Sequence, residues 1–312
     1  MSDQSGRERG SSSQINRRNV LRGIAAGGTA AVGLGAMTGS ASAAEEQCLF
    51  AEDAPDDYPV VEKDEGVLGI GGEGFVENDV PEGEDEVLIY VHGYLEFFAG
   101  GAADQGYTLQ KALRNNGYDH PTITYKYPTN SPNWWGTVDD AEQDGRDFAS
   151  WLQDYRESNP ETTIRMVGHS LGARTSLGCL DELVNELGEA PVESLTMLGA
   201  AIPRDAVTVD GEFGEAIANG AGQVTNYYSD GDDILDWIYE IGELGTEAVG
   251  AYGPPEGAET PDNYYDVDVN DEIDGHCIYY KPEEGIVDQV VENFDGVETG
   301  NGDDGGWLGG LF

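Results

Sequence analysis

Hydrophobic and polar positions alternate between two periods along the middle of the chain. Glu86–Val91 is an unbroken apolar run after its first residue, the pattern of a strand buried on both faces. Residues 107–116 repeat apolar positions at helical spacing through Leu109, Ala112 and Leu113. Residues 122–127 alternate as a second strand, and a helix is expected from Thr137, read as its N-cap, to about Ser158. A third strand ends in Val167, and a helix over 171–187 follows with Leu177, Leu180, Val184 and Leu187 on one side. Further strands are expected at 191–198, 223–228 and 264–270, the last alternating Tyr265, Val267 and Val269 against Asp266 and Asp268 as a half-buried edge. Helices are expected over 234–248 and 286–294, with a polar, glycine-containing excursion to about Gly222.

Strand and helix therefore alternate, which predicts an α/β fold: one domain with a mostly parallel central sheet and helices on both faces. The expected organisation is a leader over 1–44, an acidic segment over 45–85 with short opening strands, the domain over 86–298, and a glycine-rich tail over 299–312.

Charge adds an environment to that picture. The 312 residues carry 15 Lys and Arg against 61 Asp and Glu, a formal net charge of -46. A hydrophobic content of 38% shows a chain able to build a core, so the acidity is not that of a disordered tail. Multimolar salt shrinks the Debye length to about 3 Å or less and screens such self-repulsion, so the composition predicts a salt-adapted, haloarchaeal-type source. Nucleic acid is excluded as a partner, because phosphate binding needs clustered Lys and Arg.

The first residues predict an address. Arg17-Arg18 precedes a Gly/Ala-rich apolar run from Gly23 to Gly39 and small residues to Ala44, resembling a twin-arginine export signal cleaved after about Ala43. An uncleaved anchor is the other reading, against which the run is shorter than the roughly 20 residues of a span. The expectation is an extracellular or cell-surface protein without a stable membrane span in its mature form. Cys48, Cys179 and Cys277 allow one disulfide without fixing its pair.

The chemistry gathers at Gly168-His169-Ser170-Leu171-Gly172, which fits Gly-x-Ser-x-Gly. That pattern marks a sharp strand-to-helix turn that lifts a serine hydroxyl clear of a sheet edge, making Ser170 the candidate nucleophile. A serine needs a base, and the chain has four histidines. His169 lies inside the turn and is read as pointing away from the reactive face. His92 ends the first strand beside Gly93, and His120 sits in a connection. His276, after the last strand, is the remaining candidate. An orienting carboxylate is expected after a strand between serine and histidine, where Asp232 is favoured with Asp230 and Asp233 open. The aromatic and apolar residues Tyr94, Leu95, Phe97, Phe98, Trp134 and Trp135 are candidates to surround the serine and bind an acyl chain. Residues 266–270 carry the first polar positions of a calcium loop, but Asp271 stands where its glycine belongs and Cys277 where its glutamate does.

Together Tyr90-Val91-His92-Gly93-Tyr94, Tyr127-Pro128-Thr129-Asn130, the serine pentapeptide, Asn226 to Asp232 and Gly275-His276 resemble the lipase and esterase branch of the α/β-hydrolase superfamily. The resemblance covers roughly 86–294. It implies Ser170 as nucleophile, His276 as base, Asp232 as orienting acid, and the backbone N–H groups of Tyr94 and Leu171 as the oxyanion hole. It implies a small-molecule ester or lipid substrate and no metal or organic cofactor. The His-Gly-Gly-Gly run of many carboxylesterases is missing, so the substrate class does not carry over. Acyltransferase, thioesterase or amidase chemistry on the same residues, or a non-catalytic binding protein on this scaffold, are the alternatives.

Overall fold

The apolar run at Glu86–Val91 is buried because both faces of the sheet around it are covered. In a computed structural model, which describes residues 51–64, 74–94, 101–129, 134–235 and 247–297, eight strands form one sheet. They are β1 (Val60–Lys63), β2 (Phe75–Asn78), β3 (Glu86–Val91), β4 (Thr122–Lys126), β5 (Thr163–His169), β6 (Val192–Leu198), β7 (Ala221–Tyr228) and β8 (Tyr264–Asp268). Their order is β2-β1-β4-β3-β5-β6-β7-β8. Every neighbouring pair is parallel except β1 with β2. The fold is therefore a mostly parallel α/β architecture in a single domain. Its first two strands come from the acidic 45–85 segment and close one edge of the sheet.

The helices are α1 (Ala102–Asn115), α2 (Trp134–Ser158), α3 (Leu171–Glu182), α4 (Gly214–Gly220), α5 (Val249–Tyr252) and α6 (Val287–Glu292). Alternate residues of β3 feed two cores. Val87, Ile89 and Val91 pack with Phe148 and Trp151 of α2, Leu177 and Leu180 of α3 and Ile217 of α4. Leu88 and Tyr90 pack with Leu109 and Leu113 of α1 and Val287 and Val290 of α6. Burying such side chains on both faces contributes about 1.5–3 kcal/mol apiece, which favours this arrangement over an open sheet.

Several boundaries differ from the sequence reading. Helix α1 begins five residues early, where Asp104 accepts a hydrogen bond from the Ala54 N–H at 2.8 Å and ties the preceding segment down. Helix α2 begins at Trp134, so Thr137 is a buried residue of the helix rather than its cap. Helix α3 gives way to a π-helical turn at Leu183–Leu187 that stops at Gly188, whose φ is 66°. The polar excursion contains a short 3-10 turn, Arg204–Val207, and α4; neither is long enough to display a readable period. Most of the helix expected over 234–248, the leader over 1–44 and the tail over 299–312 lie outside the described residues.

Because β3, β5, β6 and β7 are parallel, their carboxyl ends open on one edge of the sheet. The chain departs from β3 to β4 on one side and returns to β5 on the other, and such a reversal of strand order leaves a crevice at the carboxyl edge. His92, Ser170 and Ser229 each follow one of these strands or end it there.

Candidate active site

Between β5, which ends at His169, and α3, which begins at Leu171, Ser170 alone makes the turn. Its φ of 56° and ψ of -123° are strained for a residue with a side chain, a cost that persists only where the surroundings enforce it. Here they do. The Ser170 N–H donates to the Leu198 carbonyl at 3.0 Å, and its carbonyl accepts from Ala173 and Ala201, each at 3.1 Å. A Cβ on Gly168 would come within 2.6 Å of the Ala173 Cα, and one on Gly172 would run into the Val91 carbonyl. The two glycines of the pentapeptide are thus required by backbone contact rather than by flexibility.

The end of β3 is fixed as firmly. The His92 Nδ1–H donates to the Gly93 carbonyl at 2.8 Å, while its Nε2 accepts from the Tyr127 N–H at 3.3 Å. The Tyr127 hydroxyl donates to the His92 carbonyl at 2.9 Å, and the two rings stack with centroids 4.5 Å apart. These partners assign the neutral Nδ1–H tautomer to His92. Tyr94, next in the chain, packs with Val138, Ala141 and Leu171. The Leu171 N–H, at the first helical position, has no intrahelical acceptor.

The acid and the base come from the ends of the last two strands. After β7 the Ser229 hydroxyl donates to the Ile273 carbonyl at 2.6 Å and the Asp230 N–H to the Asn270 Oδ1 at 2.7 Å, stitching the turn to the segment that carries His276. Asp232 is fully buried, whereas Asp230 and Asp233 are exposed. The Asp232 Oδ1 accepts from the Leu235 N–H at 3.1 Å, and its Oδ2 lies 2.7 Å from the His276 Nδ1. Of the three acids left open by the sequence, Asp232 is the one that His276 meets. A buried carboxylate of this kind requires a hydrogen-bonded partner, and the imidazole supplies it.

His169 does not point away from this group. Its Nε2 donates to the His276 carbonyl at 2.7 Å, and the two rings lie 4.7 Å apart. Burial first, then the neighbouring His276, hold its pKa well below the usual histidine range, so the ring is neutral. His120 is exposed beside Tyr118 and remote from these contacts. Cys277 is disulfide-bonded, while Cys179 is a buried free thiol whose pKa burial pushes up.

Leu95, Phe97 and Phe98 lie outside the described residues; Trp134 and Trp135 open α2, but their side chains are likewise outside the description. Among the described residues no group of three or more His, Cys, Asp or Glu is arranged to hold a metal ion. Asp232 and His276 thus form a buried pair at the same sheet edge where the strained Ser170 turns from β5 into α3.

A protein family described only as a protein of unknown function (DUF726) matches residues 113–292. An uncharacterized membrane protein of Schizosaccharomyces pombe is 32% identical over 116 residues, covering 37% of this chain and 19% of that protein. A transmembrane and coiled-coil domain-containing protein of Oryza sativa subsp. japonica, STS1, is 32% identical over 164 residues, covering 51% of this chain and 23% of that protein. This chain thus spans about a fifth of the length of the curated relatives it matches. Both are named as membrane proteins, and that finding overturns the expectation of an extracellular or cell-surface protein exported by the twin-arginine route. Among the described residues no helix is long and apolar enough to cross a membrane. Among solved structures, the lin2722 gene product of Listeria innocua is 12% identical, covering 70% of this chain and 96% of that one, with a TM-score of 0.46. XC6422 of Xanthomonas campestris, described as a serine hydrolase without a lid, is 16% identical over 70% of this chain and 82% of that one, with a TM-score of 0.37.

Proposed function

The chain belongs to the DUF726 family of proteins of unknown function, and from the geometry at Ser170 we propose that it is a serine hydrolase cleaving carboxylic esters through an acyl-enzyme. The observation that carries this reading is the 2.7 Å contact of two buried groups, Asp232 and His276, at the sheet edge where a strained Ser170 turns from strand to helix.

In this reading the His276 Nε2 takes the Ser170 hydroxyl proton as Oγ attacks the ester carbonyl carbon. Asp232 keeps the other proton on Nδ1 and stabilises the ring when it becomes cationic. The oxyanion of the tetrahedral intermediate accepts hydrogen bonds from the Tyr94 and Leu171 backbone N–H groups. His276 then returns its proton to the departing alkoxide. A water, deprotonated in turn by His276, attacks the acyl carbon; the acid is released as the acyl–Oγ bond breaks and His276 returns that proton to Ser170. The names of the curated relatives support a membrane setting, which makes lipid esters the substrate class we assign.

The test is hydrolysis of p-nitrophenyl esters of increasing chain length by the full chain and by Ser170→Ala, with mass-spectrometric mapping of a fluorophosphonate adduct. The reading requires activity and an adduct on Ser170 in the wild type and neither in the variant. Unchanged hydrolysis by Ser170→Ala would rule it out.

A further inference from the structure

We propose that His169, the residue before the nucleophile, is a positioning residue that holds His276 in place through its main chain, an inference that rests on the hydrolase reading of Ser170. The segment carrying His276 is a run of turns, not a strand or helix, so no regular ladder fixes its backbone. The bonds that shape it run from Ile278 to Gly275 at 3.2 Å and from Lys281 to Ile278 at 2.9 Å, and they leave the His276 carbonyl to the His169 Nε2–H at 2.7 Å. Asp232 therefore grips the His276 ring from one side while His169 grips its backbone from the other. A ring hinged only at Asp232 is free to pivot about that contact. The Ser229–Ile273 bond and the Cys277 disulfide hold the segment on either side, and the His169 bond is the anchor made to the His276 carbonyl itself.

The rest of the surroundings suits this role. Because its Nε2 carries the proton, His169 has a bare Nδ1, and that atom is buried with no hydrogen-bond partner among the described residues. It lies against the oxyanion loop, 3.3 Å from where a Cβ on Gly93 would stand. Tyr280 meets the His169 ring edge-on at 5.1 Å and Tyr279 at 6.5 Å, so the residues just after His276 also close over it. Its position one residue from Ser170 links the nucleophile's turn directly to the base. Misplacement of a catalytic group by about 1 Å costs on the order of 100-fold in rate, which is the scale on which such an anchor acts.

The experiment compares wild type, His169→Met and His169→Gln. Methionine fills the space without a donor, and the glutamine amide places an N–H near the position of Nε2. We expect His169→Met to lower kcat by about tenfold or more with KM within about threefold, and His169→Gln to recover kcat to within about threefold of wild type. Equal impairment of both variants, a change confined to KM, or a kcat for His169→Met within about threefold of wild type overturns the assignment. Should His169→Met not fold, nitrogen-15 histidine spectra of the wild type decide: a neutral ring with its proton on Nε2 is required, and an Nδ1–H or cationic ring overturns it. A wild type that neither hydrolyses esters nor labels at Ser170 fails the hydrolase reading itself, and the role of His169 falls with it whatever its tautomer.

Discussion

Asp232 and His276 lie 44 positions apart and meet at 2.7 Å, with the aspartate completely shielded from water. The contact fixes more than position. A carboxylate acceptor at Nδ1 requires the proton there, which leaves Nε2 with the lone pair a general base uses.

Asp232→Asn should therefore invert the tautomer, because the amide can donate to Nδ1 and drive the proton to Nε2. We expect kcat to fall by about 10³- to 10⁴-fold with the fold intact, while Asp230→Asn and Asp233→Asn stay within about threefold of wild type. Ester kinetics on the three purified variants check this. A rate for Asp232→Asn above about a tenth of wild type would show that another group orients the ring.

How much of this was legible beforehand depends on where the information lies. β3 could be read because its burial on both faces is written in adjacent residues, and the Ser170 turn because its two glycines flank the serine in one short pattern. Local sequence favours Asp232 over Asp230 and Asp233, but the burial and the His276 contact that set it apart are properties of the folded turn. His169 was misread for a related reason: its partner is the main chain of a residue 107 positions away, and a backbone carbonyl leaves no mark in sequence. The short helix α4 hides in a polar stretch, because 7 residues do not establish a period.

Gly93 offers a test of the oxyanion loop. A Cβ there would stand 3.0 Å from the Ser170 Cβ and 3.3 Å from the His169 Nδ1 and carbonyl oxygen, and the locked turn gives Ser170 no room to retreat. Gly93→Ala should thus cost about 10- to 100-fold in kcat but only about 1–3 kcal/mol in stability. Kinetics and a melting curve on the same sample separate the two effects. A variant as active as wild type would remove this loop from the site.

Asp144 of α2 predicts a pH dependence away from the chemistry. Burial, only partly opposed by Lys63, pushes its pKa up to about 6. An unfolded aspartate titrates near 4, so between about pH 4 and 6 the folded chain keeps a proton that the unfolded chain has released. Stability from this group is full below about pH 4 and is lost as pH rises through 6. Asp144→Asn removes the titration, so its stability relative to wild type should be about 1–3 kcal/mol more favourable at pH 8 than at pH 4. Urea unfolding of both proteins at the two pH values measures it. An offset that is equal at both, or larger at pH 4, contradicts the raised carboxyl.

The net charge of -46 makes salt the strongest solution variable. With 61 acids against 15 bases, most carboxylates cannot find a cationic neighbour, and their repulsion favours expansion of the chain. Raising sodium chloride from about 0.1 M to 1 M shortens the screening length from about 10 Å to 3 Å, below the spacing of most surface charges. The melting midpoint should rise by several degrees over that range. Sucrose separates screening from surface exclusion, because it strengthens burial without carrying charge. Sucrose should give much less than the salt does, and an equal gain would mean that repulsion is not what destabilises the chain. The Asp232 and His276 contact is buried and hence weakly screened, so kcat per folded molecule should change little across the same series. A kcat that climbs with salt while the folded fraction stays constant would instead locate the salt effect at the site.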